Sequence, residues 1–177
     1  MAPLVYHIAT SLDGFIARPD GATEDLVWDD AVVEDFFEAI GSFGSVLMGR
    51  YTYEVGVREG TTSPYPALRQ IVVSRSMTSR PDPAVEVVGD DLVGFVRALK
   101  AESDRPVWLC GGGQIAGALL TQGLIDRVVL KISPVVFGTG LPLFGPGAPS
   151  ARLGLGDTKR YDCGVCLHHY TVLGRDA

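Results

Sequence analysis

The chain has 177 residues, of which 46% are hydrophobic and 20% charged, with a formal net charge of −6. That length and balance suit one folded domain spanning 1–177 and exclude a disordered chain, while the acidic surplus argues against a general polyanion binder, which needs a dense Lys/Arg surface. No apolar run is long enough to cross a bilayer, the N-terminus shows no basic region ahead of its apolar run, and three cysteines make no disulfide framework, so a reducing cytoplasmic setting is expected.

Residues 4–9 read as a short apolar strand, followed by the turn Thr10-Ser11-Leu12-Asp13-Gly14, the apolar trio Phe15-Ile16-Ala17 and a second turn at Pro19-Asp20-Gly21. Val32, Val33, Phe36, Phe37 and Ile40 stand at helical spacing and predict a helix over 30–40, stopped by Gly41 and Gly44. A buried strand over 45–49, a short helix over 51–57 and an irregular stretch over 58–66 follow. Strands are expected over 71–74 and, after a proline-bearing turn, over 85–88. Leu92, Phe95, Val96 and Leu99 then mark one face of a helix over 91–101. A strand over 107–110 leads through three glycines into a helix over 114–122, and a strand over 127–133 ends at Pro134. A Gly/Pro-rich stretch over 138–149 precedes a last strand over 164–173. Strands alternating with helices imply an α/β fold: a mostly parallel central sheet, helices on both faces and antiparallel C-terminal strands.

The strongest chemical feature is Trp108-Leu109-Cys110-Gly111-Gly112-Gly113-Gln114-Ile115-Ala116. A strand, three glycines and a helix expose backbone amides at a helix N-terminus, where an anion can approach without meeting a Cβ. Gly111, Gly113 and Ala116 satisfy the G-x-G-x-x-A spacing of a dinucleotide turn, although a tight turn without a ligand has the same pattern. The next strand, Val128-Val129-Leu130-Lys131-Ile132-Ser133, lacks the acid that would bind a ribose. Two other strands end in a basic residue, Arg50 and Arg75, with Thr52 and Ser74 beside them. Guanidinium forks suit a phosphate monoester, which favours NADP over NAD. Cys163 and Cys166 with His168 and His169 form a tempting metal set, but alternation along a strand turns such donors to opposite sides, so no metal is expected. The stretch from Gly138 to Phe144 either borders a pocket or subunit contact, with Phe144 as an anchor, or folds back over the core.

The ordered set Thr10-Ser11-Leu12-Asp13-Gly14-Phe15-Ile16-Ala17, Met48-Gly49-Arg50-Tyr51-Thr52-Tyr53-Glu54, Val73-Ser74-Arg75, Gly111-Gly112-Gly113 and Pro134 to Phe144 covers nearly the whole chain. It resembles the dihydrofolate reductase-like family that includes the reductase domain of bifunctional riboflavin-biosynthesis deaminase/reductases (the RibD C-terminal domain). The resemblance implies a three-layer fold with NADPH across the carboxyl edge of the sheet. It places Gly49, Arg50 and Thr52 on the cofactor phosphates and Ser74 and Arg75 beside the adenosine 2′-phosphate. Gly112, Gly113, Gln114 and Ile115, next to Gly111, match the diphosphate turn, and Ala9 and Thr10 lie at the nicotinamide. The implied activity is hydride transfer to a small heterocyclic or ribosylated substrate, either pterin-like or a riboflavin precursor as in 5-amino-6-(5-phosphoribosylamino)uracil reductases. Asp13, facing the nicotinamide, is a candidate catalytic residue unless it merely closes its own turn. Trp28 and Asp29 are candidate substrate contacts, with ordinary packing as the alternative for Trp28. Folate reductases carry a carboxylate where this chain has Val32 or Val33, which leaves a non-catalytic NADPH-binding domain as the second reading. Related domains pair through their late strands, so a homodimer is expected, without nucleic acid or membrane as partner.

Overall fold

Alternation along the first strand, β1 (Leu4–Thr10), divides the molecule: Leu4 and Tyr6 enter one apolar cluster and Val5 the other. The structure, a computed structural model, describes residues 1–77, 80 and 82–175. After β1 come β2 (Phe15–Ala17), α1 (Asp30–Gly41), β3 (Ser45–Gly49), α2 (Arg50–Arg58), β4 (Arg69–Val73) and β5 (Val85–Val88). The chain continues through α3 (Leu92–Glu102), β6 (Val107–Gly111), α4 (Gly113–Thr121), β7 (Arg127–Ile132), β8 (Leu141–Pro142), β9 (Ala151–Arg160) and β10 (Cys166–Arg175). The main sheet has the order β5-β4-β3-β6-β1-β7-β10-β9, parallel from β5 to β7 and antiparallel at β10 and β9. β2 and β8 form a separate two-stranded sheet.

Both faces of the parallel strands are covered. Val96 and Leu99 of α3 and Ala116, Leu119 and Leu120 of α4 pack with Leu4, Tyr6, Leu47, Ile71 and Leu109. On the opposite face, Ile40 of α1 and Tyr53 of α2 join Val5, Val46, Met48, Val72 and Trp108. Such double burial makes the strands read as continuous apolar runs. The amino end of the sheet is fastened by Asp126, whose Oδ2 accepts from the Leu4 amide and from the Lys100 ammonium, both at 2.6 Å. Lys100 also donates to the Leu124 carbonyl.

The expected α/β architecture is present, with some boundaries displaced. β4 begins at Arg69 rather than 71, because Arg69 pairs with Glu86 on β5 and Gln70 is buried; Ser74 lies beyond the strand. Asp91 is the N-cap of α3 rather than its first turn. The turn expected before β5 includes Thr78, Ser79 and Pro81, which lie outside the described residues. β9 is an addition that the sequence reading lacked: most of its side chains are exposed, so no apolar alternation announces it. The stretch over 138–149 folds back on the core, where Phe144 packs edge-on against Tyr6 and the Tyr6 hydroxyl donates to the Leu143 carbonyl. Among the described residues no helix is long and apolar enough to cross a membrane.

His7 of β1 is buried beneath α1, edge-on to Phe36. Burial, with smaller repulsions from His169 and Lys131, lowers its imidazole from 6.5 to about 4. The unfolded chain therefore takes up this proton first, and stability contributed above pH 6.5 is lost as pH falls toward about 4. His7→Gln should flatten the acid limb of a denaturant-midpoint profile across that window, by up to roughly 3 kcal/mol.

Candidate active site

The four helices begin in two different ways. Asp29 caps α1, accepting from the Val32 amide at 3.1 Å, and Asp91 caps α3, accepting from the Gly94 amide at 3.0 Å. The caps of α2 and α4 are Gly49 and Gly112, and neither helix has a side-chain cap. These two helices leave the carboxyl ends of β3 and β6, which are hydrogen-bonded neighbours. Two helix N-termini with unsatisfied amides thus sit side by side on one edge, each carrying about half a positive charge. From β1 the chain crosses to α1 on one face, and from β6 to α4 on the other. The carboxyl edge between them is where a doubly wound sheet opens a crevice.

The three glycines are there for different reasons. A Cβ on Gly113 would stand 2.2 Å from the Pro142 carbonyl oxygen, and the Gly145 amide donates to the Gly113 carbonyl at 2.7 Å. The side-chain space of Gly113 is therefore taken by the protein's own returning chain. Gly111 has φ +154° and faces Thr52, whose Oγ1 would be 3.2 Å from an added Cβ. Gly112 faces open space, with Thr52 Oγ1 the nearest atom at 3.9 Å. Cys110 is chemically quiet, since burial pushes its thiol up to about 12.

Arg50 opens α2, stacked 4.6 Å from the Tyr51 ring centre and 3.4 Å from Glu54. Arg75 and Gln114 are exposed, and Ile115 is half-buried. Because Gly49 pairs with Val73, Arg50 and Ser74-Arg75 follow directly from neighbouring strand ends. Ser74 Oγ accepts from the Met77 amide at 2.9 Å, leaving its own proton to donate. Ala9 and Thr10 end β1; Thr10 is buried and its hydroxyl donates to the Ser11 carbonyl.

Asp13 is engaged by its own loop. Its carboxylate accepts from the Ser11 hydroxyl at 2.6 Å and from the Phe137 and Gly138 amides at 3.0 and 2.7 Å. Those bonds, led by that of Ser11, lower the carboxyl to about 2, so it has no proton to give near neutrality. Asp29 likewise serves α1 as its cap, while Val32 is buried against Tyr161 and Val165. Trp28 does stand at an opening: its ring is 47% exposed and lies over the Lys131 ammonium, 2.9 Å from Nζ to ring centre. Lys131 and His7 were not singled out from the sequence. The available signal was a lysine inside the apolar run 128–132 of a central strand. Among the described residues no group of three or more His, Cys, Asp or Glu is arranged for a metal.

The profile of the RibD C-terminal domain family matches residues 2–167. The chain belongs to that family. It is 31% identical to the uncharacterised protein YwjB of Bacillus subtilis strain 168 over 169 residues, 93% of this chain and 95% of YwjB. A crystal structure of a Shewanella sp. PV-4 protein ascribed to riboflavin biosynthesis superposes with TM-score 0.82 at 27% identity, covering 97% of this chain and 99% of that one. A dihydrofolate reductase from Enterococcus faecalis, complexed with NADP(H) and RAB-propyl, superposes with TM-score 0.68 at 17% identity over 97% and 96% of the two chains. At that identity the likeness is one of fold.

The glycine geometry separates packing from ligand space by substitution. Gly113→Ala should cost about 1–3 kcal/mol of stability through the clash with Pro142. Gly112→Ala, with ordinary φ and ψ and only an ordinary contact to Thr52 at 3.9 Å, should leave the melting temperature within about 1 °C. Thermal denaturation of both variants checks the contrast.

Proposed function

We propose that this RibD C-terminal domain protein is a cytoplasmic NADPH-dependent reductase of a small heterocyclic or ribosylated substrate. The observation that carries this reading is the pair of helix N-termini without side-chain caps at adjacent strand ends, with the open Gly112 between them. A diphosphate there would take amides of Gly113, Gln114 and Ile115 at the start of α4, beside Gly49 and Thr52. Arg50, Ser74 and Arg75 would hold the 2′-phosphate, where guanidinium and hydroxyl donors match a phosphate monoester. The nicotinamide would lie against Ala9 and Thr10. Bound NADPH supplies the hydride; the protein aligns the acceptor and excludes water. The Enterococcus neighbour holds NADP(H) in the same fold, and the Shewanella neighbour's ascription points to a riboflavin precursor ahead of a folate.

The absence of a carboxylate at Val32 and Val33 is the observation behind the second reading, a nucleotide-binding domain without catalysis. NADPH-loaded protein given 5-amino-6-(5-phosphoribosylamino)uracil or dihydrofolate separates the two by the absorbance of reduced nicotinamide.

Cofactor choice is tested by fluorescence titration. Wild type should bind NADPH more tightly than NADH. Arg50→Ala and Arg75→Ala should each weaken NADPH by roughly tenfold with little effect on NADH. Gly112→Ala should weaken both. Absence of NADPH binding by the wild type would overturn the reading.

A homodimer through the late strands is part of the proposal. Leu153 and Leu155, two residues apart on one face of β9, are 38% and 58% exposed, an apolar surface that a second copy would cover. Sedimentation should give twice the 18.9 kDa chain mass, and Leu155→Arg should reduce it to the single chain.

A further inference from the structure

Among the described residues, Lys131 is a cation in an unfavourable environment. Its side chain leaves β7 on the α1 face, 4% exposed, and Nζ has no hydrogen-bond partner. Three N–H donors without an acceptor cost more than an apolar residue of similar volume would. The Trp28 ring at 2.9 Å offsets part of a charge but accepts no conventional hydrogen bond. Phe36 adds a second aromatic face at 5.8 Å. Burial also pushes the amine down from 10.5 to about 7, so it changes charge near neutrality while keeping an N–H in either form.

Among the described residues no acceptor reaches Nζ. Lys131 lines a cavity of about 190 Å³ between α1 and the sheet, shared with Val32, Phe36, Leu167 and the imidazoles of His7 and His169. The one carboxylate on its wall is Asp35, which already accepts from the Tyr161 hydroxyl at 2.5 Å and from Lys159. Arg127, at the far end, is a donor only. The position of the amine gives this a meaning: Lys131 is the register partner of Ala9, at the end of β1.

We propose that Lys131 is a specificity-determining substrate contact, its amine donating to an exocyclic oxygen of a flat heterocycle, with the Trp28 indole closing the site behind it. This rests on the reading that the hydride acceptor lies beside Ala9. The contact selects rings that carry an oxo group over rings that carry only nitrogen acceptors or amino groups, because only the former place an oxygen lone pair where Nζ can reach it.

The experiment measures binding by ligand-observed NMR, with NADP⁺ present and absent, for two probes. 5-Aminouracil carries two exocyclic oxygens, and 2-aminopyrimidine carries none. Lys131→Met keeps the volume and removes the donor; it should fold at least as stably as wild type and lose about ten- to a hundredfold in 5-aminouracil affinity, with 2-aminopyrimidine unchanged. Lys131→Gln, which restores an N–H donor, should recover part of the loss and serves as the test if the Met variant fails to fold. Undiminished 5-aminouracil affinity in a folded variant, or no 5-aminouracil binding by wild type at millimolar concentration, would overturn the proposal. NADP⁺ is titrated into the same samples: wild type that takes up 5-aminouracil through Lys131 but ignores NADP⁺ keeps the contact and sinks the reductase reading.

Discussion

Burial of the parallel strands on both faces is the constraint on which the rest depends. Once β1, β3 and β6 have helices above and below, most of their polar and glycine-rich residues fall at the two strand-end edges, with His7 of β1 and Lys131 of β7 as buried exceptions. At the amino edge the solution is a closed clasp, Asp126 with Lys100 and the Leu4 amide. The carboxyl edge is left with amides and guanidinium groups and with little negative charge to meet them. The contrast between two helices capped by aspartate and two started by glycine follows the same division.

Most of the architecture was legible because double burial writes itself as apolar runs, and glycine marks where they end. β1, β3, β6 and β7 and all four helices could be read that way. β9 could not, because Gly154 and Gly156 interrupt it and its side chains face outward. Its existence is decided by hydrogen bonding to β10, a tertiary event without a local pattern. The shifted start of β4 has the same origin, an ion pair from Arg69 to Glu86 on the adjacent strand.

The site was half legible. Strand-to-helix junctions with glycine, and arginines just beyond apolar runs, are local and could be seen at Arg50, Arg75 and Gly111 to Gly113. What the sequence hid was the reason for each residue. Gly113 fits a dinucleotide turn by its spacing, and the structure adds a packing reason for it, because Pro142 comes back to touch it. Asp13 could be read as a catalytic carboxylate or as a turn-closing one, and its bonds to the Phe137 and Gly138 amides come from a segment far along the chain. Lys131 looks like a stray charge in a strand, and only the packing of Trp28 over it reveals an amine left without an acceptor.

One thread of backbone passes through all of these places. Between Phe137 and Gly145 the chain is tied to Asp13, to the Gly14 carbonyl, to the Tyr6 hydroxyl and finally to Gly113. It is a strut, joining the loop after β1 to the turn after β6 across the width of the cleft. The two ends of a dinucleotide lying along that edge would meet parts of one rigid frame, so the spacing between them is set by the protein before any ligand arrives.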